Sequence, residues 1–146
     1  MADQFFNIAK GAFVEKFRDS AANGIMMLLK ANEAEATLID RDDVAAMLAE
    51  AGTTEADFTN YARKTGLTGT ITVDDTNDRV DVDMPDQTWT SAGGAANNTL
   101  TKLVIAYEES ASDAGRVPLT HHDFATTTDG SDITAQLNAA GFGRAS

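Results

Sequence analysis

Hydrophobic and polar residues alternate most regularly over residues 67–89, LTGTITVDDTNDRVDVDMPDQTW. Two alternating runs flank the polar tetrad Asp75-Thr76-Asn77-Asp78. Folding the chain about that tetrad sets Asp74 against Arg79, Val73 against Val80, Thr72 against Asp81, Ile71 against Val82 and Thr70 against Asp83. One face is then apolar and the other polar, no acid opposes another acid, and the acid nearest the turn meets an arginine. The pattern predicts a half-buried antiparallel hairpin with a strongly specified register.

Elsewhere the period changes. Phe5, Phe6, Ile8, Ala9, Ala12, Phe13 and Phe17 recur at helical spacing, which predicts one amphipathic helix over about residues 3–20, stopped by Asn23-Gly24. The run Ile25-Met26-Met27-Leu28-Leu29 reads as a short strand buried on both faces. A second helix is expected over residues 40–51, with Val44, Met47 and Leu48 behind Asp42 and Asp43 at its positive end and Gly52 as its stop. Thr54 followed by Asp57 signals a further short turn through Phe58. Residues 91–98, SAGGAANN, have the composition of a flexible loop, and residues 100–107 read as a strand covered on both sides. A polar loop with Gly115 precedes Val117-Pro118-Leu119. Asp129-Gly130 is a preferred two-residue hairpin turn and would set Phe124 opposite Ala135 and Thr126 opposite Ile133.

Together these elements predict an α+β, mainly β fold: an antiparallel β-sandwich or curved sheet with an N-terminal amphipathic helix and a second short helical segment. The 146 residues suit a single domain, 1–146, made of a helix and strand (1–30), an acidic helical segment (31–66) and a β-rich body with a C-terminal tail (67–146).

Composition narrows the function. A net charge of −12 argues against nucleic acid or an anionic membrane as partner, because phosphates are bound by Lys and Arg. With no cysteine there is no disulfide framework and no thiolate nucleophile. No apolar run approaches the roughly 20 residues of a bilayer-spanning helix. The opening MADQFF lacks the basic region and apolar core of a signal peptide, so synthesis in the cytoplasm is expected.

Catalytic chemistry is sparse. His121 and His122 are the only histidines, and neighbours on a strand point to opposite faces, which disfavours joint chelation of one metal. One is expected to pack inward near Leu137 and the other to be solvated. No G-x-S-x-G elbow occurs, and the glycine pairs at Gly66 and Gly69 and at Gly93-Gly94 lack the lysine and helix of a phosphate loop. No catalytic or cofactor-binding residue is therefore assigned, and no enzyme is expected. The acids of the hairpin do not form an EF-hand; a calcium site at the hairpin end, from Asp75, Asn77 and Asp78, stands as the lesser alternative to a solvated turn. Tyr61, Trp89 and Tyr107 are the aromatic residues that a glycan-binding surface would use, with Trp89 expected in the core.

Residues 61–107, YARKTGLTGTITVDDTNDRVDVDMPDQTWTSAGGAANNTLTKLVIAY, resemble small structural proteins encoded among the head genes of tailed bacteriophages. The ending PLTHHDFATTTDGSDITAQLNAAGFGRAS and the opening AKGAF are similar to the same family. The acidic segment of about residues 31–52 departs from it. The resemblance implies a non-enzymatic virion protein, most plausibly a capsid decoration (cement) protein on the capsid exterior, assembled in the host cytoplasm. It implies as partners the major capsid protein and neighbouring copies of itself, with a homotrimer at lattice three-fold positions as the natural arrangement. Rival expectations are another virion component (head fibre base, head–tail connector or tail protein) or a host-glycan-binding module. The contact elements expected are the N-terminal helix (Phe5, Phe6, Phe13, Phe17), the loop with Asn97 and Asn98, and the tail with Phe142 and Arg144.

Overall fold

The computed structural model describes residues 4–10 and 12–145; residues 1–3, Gly11 and Ser146, which the expected first helix and the ends of the expected domain include, lie outside the described residues. In chain order the elements are β1 (Gln4–Phe5), a 3-10 turn (Asn7–Ala9), α1 (Phe13–Asp19), β2 (Gly24–Ala31), α2 (Glu35–Leu38), α3 (Val44–Leu48), β3 (Thr54–Glu55) and β4 (Lys64–Leu67). There follow β5 (Thr70–Asp74), β6 (Arg79–Asp83), β7 (Gln87–Trp89), β8 (Thr99–Glu108), a second 3-10 turn (Asp113–Gly115), β9 (Arg116–Thr127), β10 (Ile133–Ala135) and β11 (Gly143–Ala145). The fold is α+β and mainly β, 40% strand and 16% helix, with antiparallel sheets.

The central sheet runs β1-β9-β8-β2-β3, and β4 shares the outer edge of β2 with β3. Its middle strands are the two apolar runs of the sequence. β2 lies against β8 with Met26 opposite Ile105 and Leu28 opposite Leu103. Because side chains alternate across a strand, β2 feeds two separate cores. Met26 and Leu28 join Leu103, Ile105, Phe13, Phe17, Val82, Met84, Trp89 and Phe142 on one face. Ile25, Met27 and Leu29 join Val104, Ala106, Phe6, Leu38, Val44 and Met47 on the other. The acidic segment thus has a structural purpose: α2 and α3 cover the second face of the sheet with Leu38, Val44 and Met47. Two small sheets, β10-β7 and β11-β6-β5, cover the first face together with α1.

The hairpin forms in the expected register, pair for pair from Thr70–Asp83 to Asp74–Arg79. Four other expectations are corrected. The helix over residues 3–20 is instead β1, a 3-10 turn and the seven-residue α1. Phe5 pairs with Thr120 on β9, and the Phe6 amide donates to the Leu119 carbonyl at 3.0 Å, so main-chain bonds that a helix would keep to itself go to the sheet. Phe6 also enters one core while Phe13 and Phe17 enter the other, which a single helical stripe cannot do. A helix as short as α1 is marginal alone; Phe13 and Phe17, each worth about 1.5–3 kcal/mol when buried, hold it in place.

The second helix shrinks to α3, where Asp43 is the N-cap and its carboxylate accepts from the Ala46 amide at 2.7 Å. Thr54 opens no turn: β3 pairs with β2, and the Ala56 amide donates to Leu28 at 2.9 Å. The second hairpin does not form. β9 pairs along its length with β8, while β10 pairs with β7, placing Ile133 opposite Trp89 and Ala135 opposite Gln87. A type I′ turn needs positive φ at both central residues, and of Asp129 and Gly130 only Gly130 has it, at 98°. The chain there crosses to the other side instead, with Gly130 donating to the Ala92 carbonyl and Ala92 to the Ser131 carbonyl.

Candidate functional site

Most of the expected contact residues are consumed by this chain's own packing. Phe6, Phe13, Phe17 and Phe142 are core residues. Phe17 meets Phe142 and Tyr107 edge-on, with ring centroids 5.8 and 5.4 Å apart, and the half-buried Phe5 leans on Phe13 at 4.8 Å. The glycine-framed tail is not a loose docking arm: it is strand β11, paired with β6. Gly141, at φ 93°, lets the chain turn onto β6, where an added Cβ would lie 2.2 Å from the Val82 carbonyl oxygen. Phe142 then donates its amide to Val82 at 2.9 Å, and the Arg144 Nε donates to the Asp81 carboxylate at 2.7 Å.

The loop of residues 91–98 has no regular structure but is cross-tied rather than flexible. Thr59 and Ala96 exchange hydrogen bonds, Gly93 donates to the Thr59 carbonyl, and Gly94 donates to the Asn97 side chain. Asn98 accepts from the Asp57 amide and donates to the Asp57 carboxylate, and its own amide donates to the Thr128 hydroxyl. Asn97 stays exposed and Asn98 half-buried, so both shape the loop from within.

The hairpin faces are less segregated than the alternation implied. Asp81, on the polar face, is buried between Arg144 and Arg79. Val73, on the apolar face, is 61% exposed. At the turn, Asp74 rather than the trio of the lesser, calcium alternative organises the polar groups: its carboxylate accepts from the Thr76 and Asn77 amides and from the Asn77 side chain at 2.8 Å, and pairs with Arg79. Those contacts hold its carboxyl below the ordinary range, the Asn77 side-chain bond foremost. Asn77 is thereby turned to Asp74, away from a shared site with Asp75 and Asp78. Among the described residues no group of three His, Asp or Glu side chains is placed to hold a metal ion.

The aromatic residues considered for glycans are not exposed platforms. Trp89 is buried and its Nε1 donates to the Ala62 carbonyl at 2.8 Å; Tyr107 is buried too. The Tyr61 hydroxyl donates to Glu55 at 2.7 Å and accepts from the Leu28 amide. Burial first, then the charge of Glu55, drives its pKa upward, so it remains a donor. Glu55 also receives a fork of two bonds from Arg63, which reaches on to Asp113; Arg116 joins Asp113 to Glu108. This chain of charges ties β3, the approach to β4, and the β8–β9 connection into one network.

A second buried polar group lies on the face toward α2. Lys102, with its side chain 3% exposed, contacts Glu35 and Asp123, each at 2.5 Å. Burial opposes its charge, yet Asp123 and Glu35 together keep its pKa above the ordinary value. The one clue in the sequence is a lysine inside an otherwise apolar strand, TLTKLVIAY.

The two histidines do face opposite ways, but the buried one is His121, under an edge-on Phe6 ring on the α2 and α3 side. His122 is the one near Leu137, in a cleft shared with Leu103 and Phe124, and bonds the Thr120 hydroxyl at 2.9 Å. Neither ring nitrogen of His121 has a hydrogen-bond partner among the described residues. Burial, reinforced by Lys102, pushes its pKa down. Unfolded, the ring takes a proton near pH 6.5; folded, it does so only at lower pH. Stability from this group is complete above about pH 6.5 and falls as pH drops below it, by at most ~1.4 kcal/mol per pH unit. Urea unfolding between pH 8 and 5 should show that acid limb, and His121→Leu should flatten it; an unchanged limb in the variant refutes the assignment.

No protein-family model, curated protein or solved structure matches this chain.

Proposed function

We propose that this protein is a non-enzymatic structural component of a tailed-bacteriophage virion, specifically a capsid decoration protein that sits on the outer surface of the major capsid shell beside copies of itself. The resemblance of residues 61–107 and of the chain's ending to phage head proteins supports the virion reading. The acidic balance suits an outward surface and is unsuited to the DNA-facing lumen of a connector. The observation that carries the shell reading is the small sheet β11-β6-β5, whose end strand β5 has no partner on its outer edge among the described residues and whose Val73 is 61% exposed. A block with a sheltered central sheet and an open lateral edge suits side-by-side contacts, in which weak individual joints are multiplied by number. Expected contact residues that lie in the core give binding no aromatic anchor, so adhesion is assigned to backbone edges and polar surface.

Mixing the purified protein with capsids that lack it, followed by electron microscopy, checks this reading. Added density at regular positions on the outer shell is expected. Density confined to the neck or tail would favour the other virion roles, and no added density would overturn the assignment. Binding on a glycan array would instead favour a host-recognition module.

A further inference from the structure

Strand edges in folded proteins are ordinarily blunted by charge, proline, a bulge or brevity, because an open edge templates pairing with another chain. The central sheet follows this rule, ending in the two-residue strands β1 and β3 and the four-residue β4, which carries Lys64 and Gly66. β5 does not. Its five residues, Thr-Ile-Thr-Val-Asp, contain four β-branched side chains in succession, no proline, and one charge at the extreme end. Among the described residues no main-chain hydrogen bond from another element reaches its outer edge beyond the Gly69 bond to Ala21 that marks its start. Thr70, Thr72 and Val73 are exposed.

The strand is also complementary to itself. Antiparallel pairing about a two-fold axis at Thr72 sets Thr72 against Thr72 of the mate, Val73 against Ile71, and Asp74 against Thr70. Only this register pairs all five residues with one another and keeps apolar beside apolar and polar beside polar. A one-residue slip would mix the two faces. The single charge is no obstacle: the two copies of Asp74 would lie four residues apart along the seam, roughly 14 Å, beyond a Debye length of about 8 Å. Each is moreover already paired with Arg79. The occupant that best fits this edge is thus a second β5.

We propose that the protein self-associates by antiparallel β5–β5 pairing across a two-fold axis through Thr72, joining two three-stranded sheets into one of six. The joint is small and rests chiefly on main-chain bonds, so it is a weak contact in free solution that lattice neighbours would strengthen. It uses the same β5 edge that supports the shell reading, but it is tested on the isolated chain, whereas a capsid-binding experiment tests the virion reading separately.

The absence of native cysteine makes the test direct. Single variants Thr70→Cys, Thr72→Cys, Val73→Cys and Thr76→Cys, with folding checked by circular dichroism, are oxidised with copper phenanthroline and run on a non-reducing gel. Thr72→Cys should give the most disulfide-linked dimer, roughly tenfold more than Thr70→Cys or Thr76→Cys, whose mates would be too far apart for a bridge limited to about 7 Å between Cα atoms. Val73→Lys in the Thr72→Cys background should abolish most of the dimer. A maximum at another position overturns the register, and equal, trace dimer at all four overturns the pairing.

Discussion

Trp89→Ala should destabilise the protein by about 3–5 kcal/mol, the range for emptying a buried aromatic site. Trp89 is 1% exposed, sits on β7 opposite Ile133, and is packed among Ala92, Leu100 and Ala135 under the central sheet. Its indole nitrogen also answers the Ala62 carbonyl, and the ammonium of Lys64 lies 5.4 Å from its ring centre. Truncation therefore removes packing, leaves a carbonyl unpaired and loosens the approach to β4 together. Against a typical total of about 5–15 kcal/mol, a loss of this size leaves many domains barely folded. Urea denaturation followed by circular dichroism measures it, since the variant loses the chain's only tryptophan and its fluorescence. Trp89→Phe should recover more than half of the loss by refilling the site without the N–H. A Trp89→Ala loss below about 1 kcal/mol would contradict the packing described.

The Lys102 cluster should respond in the opposite logical order. Removing both anions in Glu35→Ala/Asp123→Ala leaves an ammonium buried without counter-charge, at a cost of about 3–5 kcal/mol. Adding Lys102→Met to that pair should restore most of the stability, because a well-packed apolar side chain replaces an ion cluster at little or no loss. The same denaturation measurement checks both. If the triple variant is no more stable than the double, then Lys102 is not the source of the penalty.

These two sites differ in how openly the sequence declares them. The β5–β6 register was readable because the period-two pattern and the acid–arginine pair flanking the turn agree on one answer. β2 and β8 were readable because the continuous apolar runs 25–29 and 103–107 leave no polar side to expose. The apparent first helix misleads because its phenylalanines serve two cores on opposite sides of a sheet, and periodicity cannot say which neighbour a residue meets. Asp129-Gly130 misleads for a related reason: β10 pairs with β7, forty-odd residues away in sequence, a partner that a local turn signal cannot anticipate. The candidate contact residues are aromatic, asparagine or glycine-framed, and the core and the cross-tied loop claim just those types. Lys102 and Arg63 show the converse, since their partners Glu35 and Asp113 are remote in sequence and no local spacing links them.

The position of β2 in the chain has a bearing on how the protein comes into being. Leu28 finds Leu103 only after the hairpin and the long loop have been made, so the central pair cannot close until the chain through β8 has left the ribosome. Proteins dominated by such distant pairings fold on the order of milliseconds to seconds rather than microseconds. During that interval the apolar run Ile25-Met26-Met27-Leu28-Leu29 lacks its β8 partner. The acid-rich stretch that follows it is made next, before β8 arrives to bury the strand.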